Sequence, residues 1–208
     1  DLNHPIESVI PSAHGPVLAA LAATEAPLTG RGVAALLDGR VSSRRVADVL
    51  SELAAAGIVL RSRAGAAYQF RLNREHLATP SIVALAGLRA ALMDAITEQV
   101  LGWVQPAVAV WLFGSAARGV AGPTSDIDLL VIRPSSVADV DAGWLEQISE
   151  LAEQVRRWTG NETAILEYGE DEFTTLVEAD DRLVDSLRAD AIVLAGETVR
   201  QRSRAGST

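Results

Sequence analysis

The chain has 208 residues, 49% of them apolar, and a formal net charge of −9. That apolar content is ample for one large or two small packed domains and excludes a disordered chain. An acidic whole argues against broad affinity for nucleic acid.

The charge is uneven. Residues 1–78 carry eight arginines against seven acidic residues, and residues 79–208 carry ten against twenty, so a local basic face remains open to the first part. The chain has no cysteine, which rules out disulfides and thiolate metal sites and leads us to expect a reducing, cytoplasmic compartment. No signal-peptide pattern and no membrane span are expected. The longest apolar helical stretch, residues 82–104, is interrupted by Arg89, Asp94, Glu98 and Gln99.

In chain order, residues 1–15 hold Pro5 and Pro11 and no sustained period, the pattern of a loose N-terminal arm. Pro16 suits the first turn of a helix over 17–23. Thr29 can cap a second helix over 32–37, ended near Gly39. Ser42 or Ser43 can cap a third. There Val46, Val49, Leu50 and Leu53 form one buried face, and Gly57 stops the helix. Two short alternating runs, 58–63 and 66–72, flank Ala64-Gly65 and predict a hairpin. A break at 73–80 leads into a long helix over 81–104, striped by Leu85, Leu88, Leu92, Ile96 and Val100. Such a stripe is ordinarily core; a homodimer face is the other use.

Residues 107–113 predict a fully buried strand that ends at Gly114-Ser115, where a short helix begins. Glycine lets backbone approach a ligand closely, and the Ser115 hydroxyl with the following amides can cradle a phosphate. Residues 126–132 predict a second strand. A period of two puts Asp126 and Asp128 on one face, their Cβ atoms about 6–7 Å apart. Adjacent carboxylates repel, and each is costly to bury; a divalent cation relieves both problems. Each half alone has an ordinary explanation, as a strand-to-helix turn and as a solvated strand end.

An amphipathic helix with Val140, Trp144, Leu145, Ile148, Leu151, Val155 and Trp158 follows, ending at Gly160. A third strand is expected over 163–168. One or two helices are expected around Phe173, Leu176, Val177, Leu183, Val184 and Leu187. An apolar return follows at 191–196, and a polar tail at 200–208.

Two resemblances go beyond these patterns. Residues 15–73, above all the run from Ser42 through Leu53 and Gly57 to Arg61, resemble bacterial winged helix-turn-helix regulators. The resemblance implies a third helix that enters the major groove by its first turn. Ser43, Arg44 and Arg45 would reach phosphates or base edges, with Arg61 and Arg63 on the wing. Asp48 and Glu52 lie on the exposed side of that helix and would repel phosphate, so protein docking is the competing use.

The second resemblance is stronger. Gly114-Ser115, ten residues, then Asp126-Ile127-Asp128 between apolar strands, with Ala117-Arg118-Gly119 and Ser125 to Leu129, is similar to the minimal branch of the polymerase-beta-like nucleotidyltransferase superfamily. The resemblance covers residues 107–196. It implies a small mixed sheet with helices on one side, and a nucleoside triphosphate, expected to be ATP, between Gly114-Ser115 and the two aspartates. It further implies Mg²⁺ or Mn²⁺ on Asp126 and Asp128, and Arg118 on the triphosphate. Active relatives carry a third carboxylate on the strand matching 163–168, where this chain has Ala164 at the matching position. Glu162 shares that face and is the candidate third catalytic acid; Glu167 lies on the opposite face and is the next.

The expected architecture is therefore α+β. A winged helix-turn-helix domain occupies 1–78, a joining helix 79–105, and a polymerase-beta-like nucleotidyltransferase domain with a small mixed sheet 106–208. The expected function is transfer of a nucleoside monophosphate to a hydroxyl of a protein, small molecule or RNA end, coupled to DNA binding. Two other readings stay open: a transcriptional regulator that senses nucleotide, and an antitoxin paired with a small toxin protein that it nucleotidylates.

Overall fold

The apolar stripe from Leu85 to Val100 does not lie on one helix. In the computed structural model, which describes residues 4–120, 122, 124–179 and 181–198, one helix ends at Ala86 and the next begins at Leu88. Gly87 intervenes, and its N–H reaches the carbonyls of Val83 and Ala84 as a helix end does. Glycine costs about 1 kcal/mol in a helix interior relative to alanine. The two halves also serve different cores: Ile82 and Leu85 belong to one, Ile96 and Val100 to another. The stripe is thus core on both sides of the break. The described residues form two compact units divided between Arg89 and Ala90.

The first unit runs α1 (Pro5–Val9), α2 (His14–Ala22), β1 (Leu28–Thr29), α3 (Gly30–Leu36), α4 (Ser43–Ala55), β2 (Val59–Ala64), β3 (Ala67–Leu72) and α5 (Thr79–Ala86). The expected loose arm is instead helical from Pro5. Ile6 is 1% exposed in the core with Val17, Leu21 and Val33. Burying such a side chain contributes about 1.5–3 kcal/mol, enough to hold a short helix that would not persist alone. The first three residues lie outside the described part.

The caps fall where the sequence puts them. Thr29 Oγ1 accepts from Gly32 N at 3.0 Å, and Ser42 Oγ accepts from Arg45 N at 3.3 Å. α4 turns Val46, Val49, Leu50 and Leu53 into the core. The three strands form an antiparallel sheet in the order β1-β3-β2, with Leu28 opposite Phe70 and Val59 opposite Leu72. β1, only two residues long, was not foreseen in the sequence.

The second unit takes in most of α6 (Leu88–Leu101), then β4 (Ala109–Phe113), α7 (Gly114–Arg118), β5 (Ile127–Arg133), α8 (Ala142–Thr159), β6 (Thr163–Gly169), α9 (Glu170–Glu178), α10 (Arg182–Asp190) and β7 (Ile192–Gly196). The sheet order is β6-β5-β4-β7, with β5 and β6 parallel and the other pairs antiparallel. It is a mixed sheet, as expected.

Helices cover both faces rather than one. Val110, Leu112, Leu129 and Val131 pack against Ile96 and Val100 of α6 and Trp144, Leu151 and Val155 of α8. Ala109, Trp111, Leu130 and Ile132 pack against Phe173 of α9 and Val184 and Leu187 of α10. The physical reason was already in the strands. β4 and β5 are apolar at consecutive positions, so each face exposes a row that must be covered. Trp111, fully buried, meets Phe173 edge-on at 5.4 Å and donates Nε1–H to the Glu197 carbonyl at 2.8 Å.

No single helix among the described residues is long and apolar enough to cross a membrane. The expected polar tail at 200–208 lies outside the described residues.

Candidate functional site

β4 carries the chain to Gly114, and β5 runs antiparallel beside it, with Phe113 opposite Asp128. The turn at Gly114 therefore lands against the Asp128 side chain. Gly114 has φ +70°, and a Cβ built there would stand 2.1 Å from Asp128 Oδ2. Both facts demand glycine: the backbone is left-handed, and the carboxylate occupies the space a side chain would fill. α7 then makes a little more than one turn and ends at Gly119 in the left-handed conformation, with Val120 N donating to the Ser115 carbonyl at 3.0 Å. So short a helix has little macrodipole; what it offers an anion is the half-buried Ser115 at its start.

Asp126 stands one residue before β5 and is exposed, while Asp128 is half-buried. Burial pushes the Asp128 carboxyl above its ordinary value, the charge of Asp126 pushes it the same way, and Arg118 partly offsets both. Arg118 forms an ion pair with Asp190, at the end of α10, at 3.6 Å. Asp190 was not singled out in the sequence. It is separated from Arg118 by seventy-two positions, and only the packing of α10 on α7 brings it there.

The register of the sheet shows which β6 residue stands beside Asp128. Asp128 is the neighbour of Ala164 on β6, so the position beside it holds a methyl group. Glu162 is 75% exposed at its side chain and faces Arg156 at 3.8 Å. Glu167 points to the α8 side, where Oε1 accepts from Arg133 Nε at 2.8 Å and from Trp144 Nε1 at 2.9 Å. Its role is structural: it satisfies a buried indole and a nearly buried guanidinium. Among the described residues no group of three or more His, Cys, Asp or Glu side chains is placed to hold a metal ion.

Two carboxylates still suit one kind of cation. Mg²⁺ and Mn²⁺ favour hard oxygen donors. Mg²⁺ commonly takes one or two protein carboxylates and completes its shell with phosphate oxygens and water. A carboxyl pushed up by burial and by a neighbouring charge is one that such a cation would relieve. The space beside Gly114 is taken by the Asp128 carboxylate, so the missing side chain is what lets that carboxylate lie against the backbone turn.

In the first unit, Ser42 is the N-cap of α4, so Ser43 and Arg44 occupy its exposed first turn. The Arg44 side chain makes no hydrogen bond or ion pair among the described residues. Arg45 is different. Its Nη1 bonds Glu52 Oε1 at 2.9 Å, and the other Glu52 oxygen meets His14 Nε2 at 2.9 Å. On the hairpin, the Arg61 guanidinium lies 4.7 Å from the Tyr68 ring centroid, and Arg63 Nε donates to the Gly65 carbonyl at 3.3 Å.

Comparison with known proteins gives one family. Residues 97–188 match the family described as Nucleotidyltransferase domain, and a nucleotidyltransferase domain is accordingly present there. No curated protein matches the chain. Among solved structures, one described as a toxin–antitoxin with AMP-PNP is 17% identical. The match covers 55% of this chain and 83% of that one, with a TM-score of 0.38. A candidate nucleotidyltransferase from Sulfolobus solfataricus is 21% identical over 50% of this chain and 76% of its own, with a TM-score of 0.30. Likenesses at these scores bear on neither fold nor activity.

Proposed function

We propose that the second unit binds a nucleoside triphosphate, expected to be ATP, with a divalent cation, and transfers the nucleoside monophosphate to an acceptor hydroxyl. The observation that carries this reading is the contact between Gly114 and Asp128, which sets a side-chain-free backbone turn against a carboxylate whose ionised form is disfavoured. The matched family supports it. A divalent cation held by Asp126 and Asp128 would neutralise triphosphate charge.

The chain's own residues do the rest. The Gly114-Ser115 turn offers N–H groups and a hydroxyl to the β and γ phosphates. Arg118 exchanges Asp190 for a phosphate oxygen, a partner of greater charge. The acceptor oxygen attacks the α-phosphorus in line and forms the new P–O bond; its proton passes to a carboxylate base or to water, and pyrophosphate leaves as the old P–O bond breaks. Positioning and charge neutralisation supply most of the acceleration. Glu162 would have to leave Arg156 to serve as the base. With Ala164 beside Asp128, the site favours nucleotide binding over fast turnover, which keeps a nucleotide-sensing regulator as the second reading.

The test is incubation with labelled nucleoside triphosphates and Mg²⁺. Transfer or pyrophosphate release is expected from the wild type. The double variant Asp126→Ala, Asp128→Ala is expected to lose it by a factor of about 10³ or more, as removal of metal-binding and charge-stabilising groups does. Equal product from both proteins would refute the site.

The first unit we read as a winged helix that contacts DNA or a protein. Support comes from the order α2-β1-α3-α4-β2-β3, the exposed first turn of α4, and the arginine-bearing hairpin. Arg44 and Arg45 are expected to differ. The charge of Arg45 is already matched by Glu52, whereas that of Arg44 is not. In duplex-DNA binding measured from 50 to 200 mM salt, Arg44→Ala is expected to lower the slope of log affinity against log salt by about one, and Arg45→Ala by much less. Identical slopes for wild type and Arg44→Ala would remove α4 from the DNA interface.

A further inference from the structure

Asp126 is exposed and stands outside the sheet, yet the backbone on each side of it is tied to one of two consecutive residues, Asn161 and Glu162. On one side, the Ser125 carbonyl accepts from Asn161 Nδ2 at 2.9 Å. On the other, Ile127 N donates to the Glu162 carbonyl at 2.9 Å. The second contact begins the β5–β6 pairing, and any residue at 162 could make it. The first depends on one side chain. Asn161 is 7% exposed, one of two buried polar residues among those described.

Asn161 is itself well anchored. α8 ends at Gly160, with φ +74° and its N–H on the Arg156 carbonyl at 2.8 Å. The next N–H, of Asn161, donates to Thr159 Oγ1 at 3.1 Å, and that hydroxyl donates to the Val155 carbonyl at 2.7 Å. Ser125 is held on its own side as well, its Oγ accepting from Gly122 N at 2.9 Å. A continuous strap therefore runs from the last turn of α8 through the Asn161 amide to the residue before Asp126.

We propose that Asn161 is a positioning residue for Asp126, setting the orientation of that carboxylate toward the bound cation. The proposal rests on the reading of Asp126 and Asp128 as ligands of a Mg-nucleotide. Mg²⁺ demands near-octahedral geometry at about 2.0–2.1 Å and tolerates displaced ligands poorly. Where three carboxylates share a cation, a small error in one is diluted. Here Ala164 leaves two, so misplacement of Asp126 passes directly into cation affinity. The side-chain chemistry fits the task. A carbonyl needs an N–H donor, which Asn supplies and the isosteric Asp does not. Loss of outer groups that orient metal ligands typically weakens metal affinity about 10–100-fold.

The experiment measures ATP binding by the full chain as a function of Mg²⁺, and ATP binding without metal, for the wild type, Asn161→Ala and Asn161→Asp. Both variants are expected to raise the Mg²⁺ concentration for half-maximal ATP binding about 10–100-fold. Metal-free ATP affinity, which depends on the Gly114-Ser115 turn and Arg118, is expected to change less than about twofold. Val155→Ala, which hollows the core under α8, serves as the stability control: it lowers the melting temperature and leaves the Mg²⁺ requirement where it was. An unchanged Mg²⁺ requirement in both Asn161 variants, or a loss of metal-free and metal-dependent binding in equal proportion, overturns the positioning role. A wild type that shows no Mg²⁺-dependent ATP binding overturns the site itself and is seen before any variant is made.

Discussion

Replacing Gly114 by alanine is expected to destabilise the protein by about 2–4 kcal/mol and to abolish the stabilisation that Mg-ATP gives. Two costs add. A left-handed backbone at a non-glycine residue costs about 1–2 kcal/mol, and here φ is +70°. The new methyl would also stand 2.1 Å from Asp128 Oδ2, a distance no real contact has. Either the turn or the carboxylate must move, and both belong to the site. The measurement is a pair of thermal melts with and without Mg-ATP. The nucleotide-free melting temperature is expected to fall by about 5–15 °C. If the proposed function holds, Mg-ATP at a hundred times its dissociation constant is expected to stabilise the wild type by about 2.7 kcal/mol, and this gain is expected to vanish in the variant. A variant that melts like the wild type and responds to Mg-ATP in full would show that the turn and Asp128 do not share a site.

Asp128→Asn is expected to act in opposite directions on stability and function. Burial and the Asp126 charge hold the Asp128 carboxyl above its ordinary 3.8. For a group raised on folding, the stability it contributes is complete below the ordinary value and is lost as pH rises through the folded-state value. At pH 7 without cation, Asp128 is therefore a destabilising charge. The asparagine removes that charge and keeps the shape. The nucleotide-free variant should melt about 1–3 °C above the wild type at pH 7, with the gain closing as pH falls toward 4 and below. The same variant should give no Mg-ATP shift, because a neutral amide is a poor ligand for a hard cation. A lower melting temperature at pH 7 would mean that Arg118 outweighs burial and Asp126, and that the site is not strained in the way described.

The turn at Gly114 against Asp128, on which the candidate site is drawn, was legible in the sequence because its signals are local. A glycine at the end of an apolar strand, and two aspartates alternating at the start of the next, are features of short segments that survive any packing. So were the caps at Thr29 and Ser42, which depend on residues three apart. The unforeseen features depend on partners distant in sequence. Asp190 reaches Arg118 only through the placement of α10. Glu162 shares a face with Ala164 by alternation, yet its carboxylate turns to Arg156, one helical turn before the end of α8. Asn161 reads as an ordinary turn residue after Gly160 until Ser125 is brought beside it. The arm over residues 1–15 looked structureless because it holds Pro5 and Pro11 and no sustained period; α1 is held there by buried Ile6, by Ile10 packed against the same core and by the Glu7–Arg40 ion pair. The two-sided covering of the sheet is a different case. The consecutive apolar positions of β4 and β5 implied it, and the resemblance to a one-sided family arrangement led away from that plain inference.

The place of β7 in the sheet has a kinetic consequence. β4 lies between β5 and β7, and Ala109 meets Gly196 across eighty-seven positions. Gly196 has φ +72° and lies so close to Val108 that a Cβ there would be 2.0 Å from its carbonyl oxygen. While the chain is being synthesised, β4 and β5 can pair as soon as both have emerged, but the other edge of β4 waits for residues 192–196. Until then a strand of Ala109, Val110, Trp111 and Leu112, apolar on both faces, has one unpaired edge, the kind of surface that recruits other chains. The turn at Gly114 and its contact with Asp128 can form before that edge is closed. β7 thus closes the edge of β4 that would otherwise stay open to other chains.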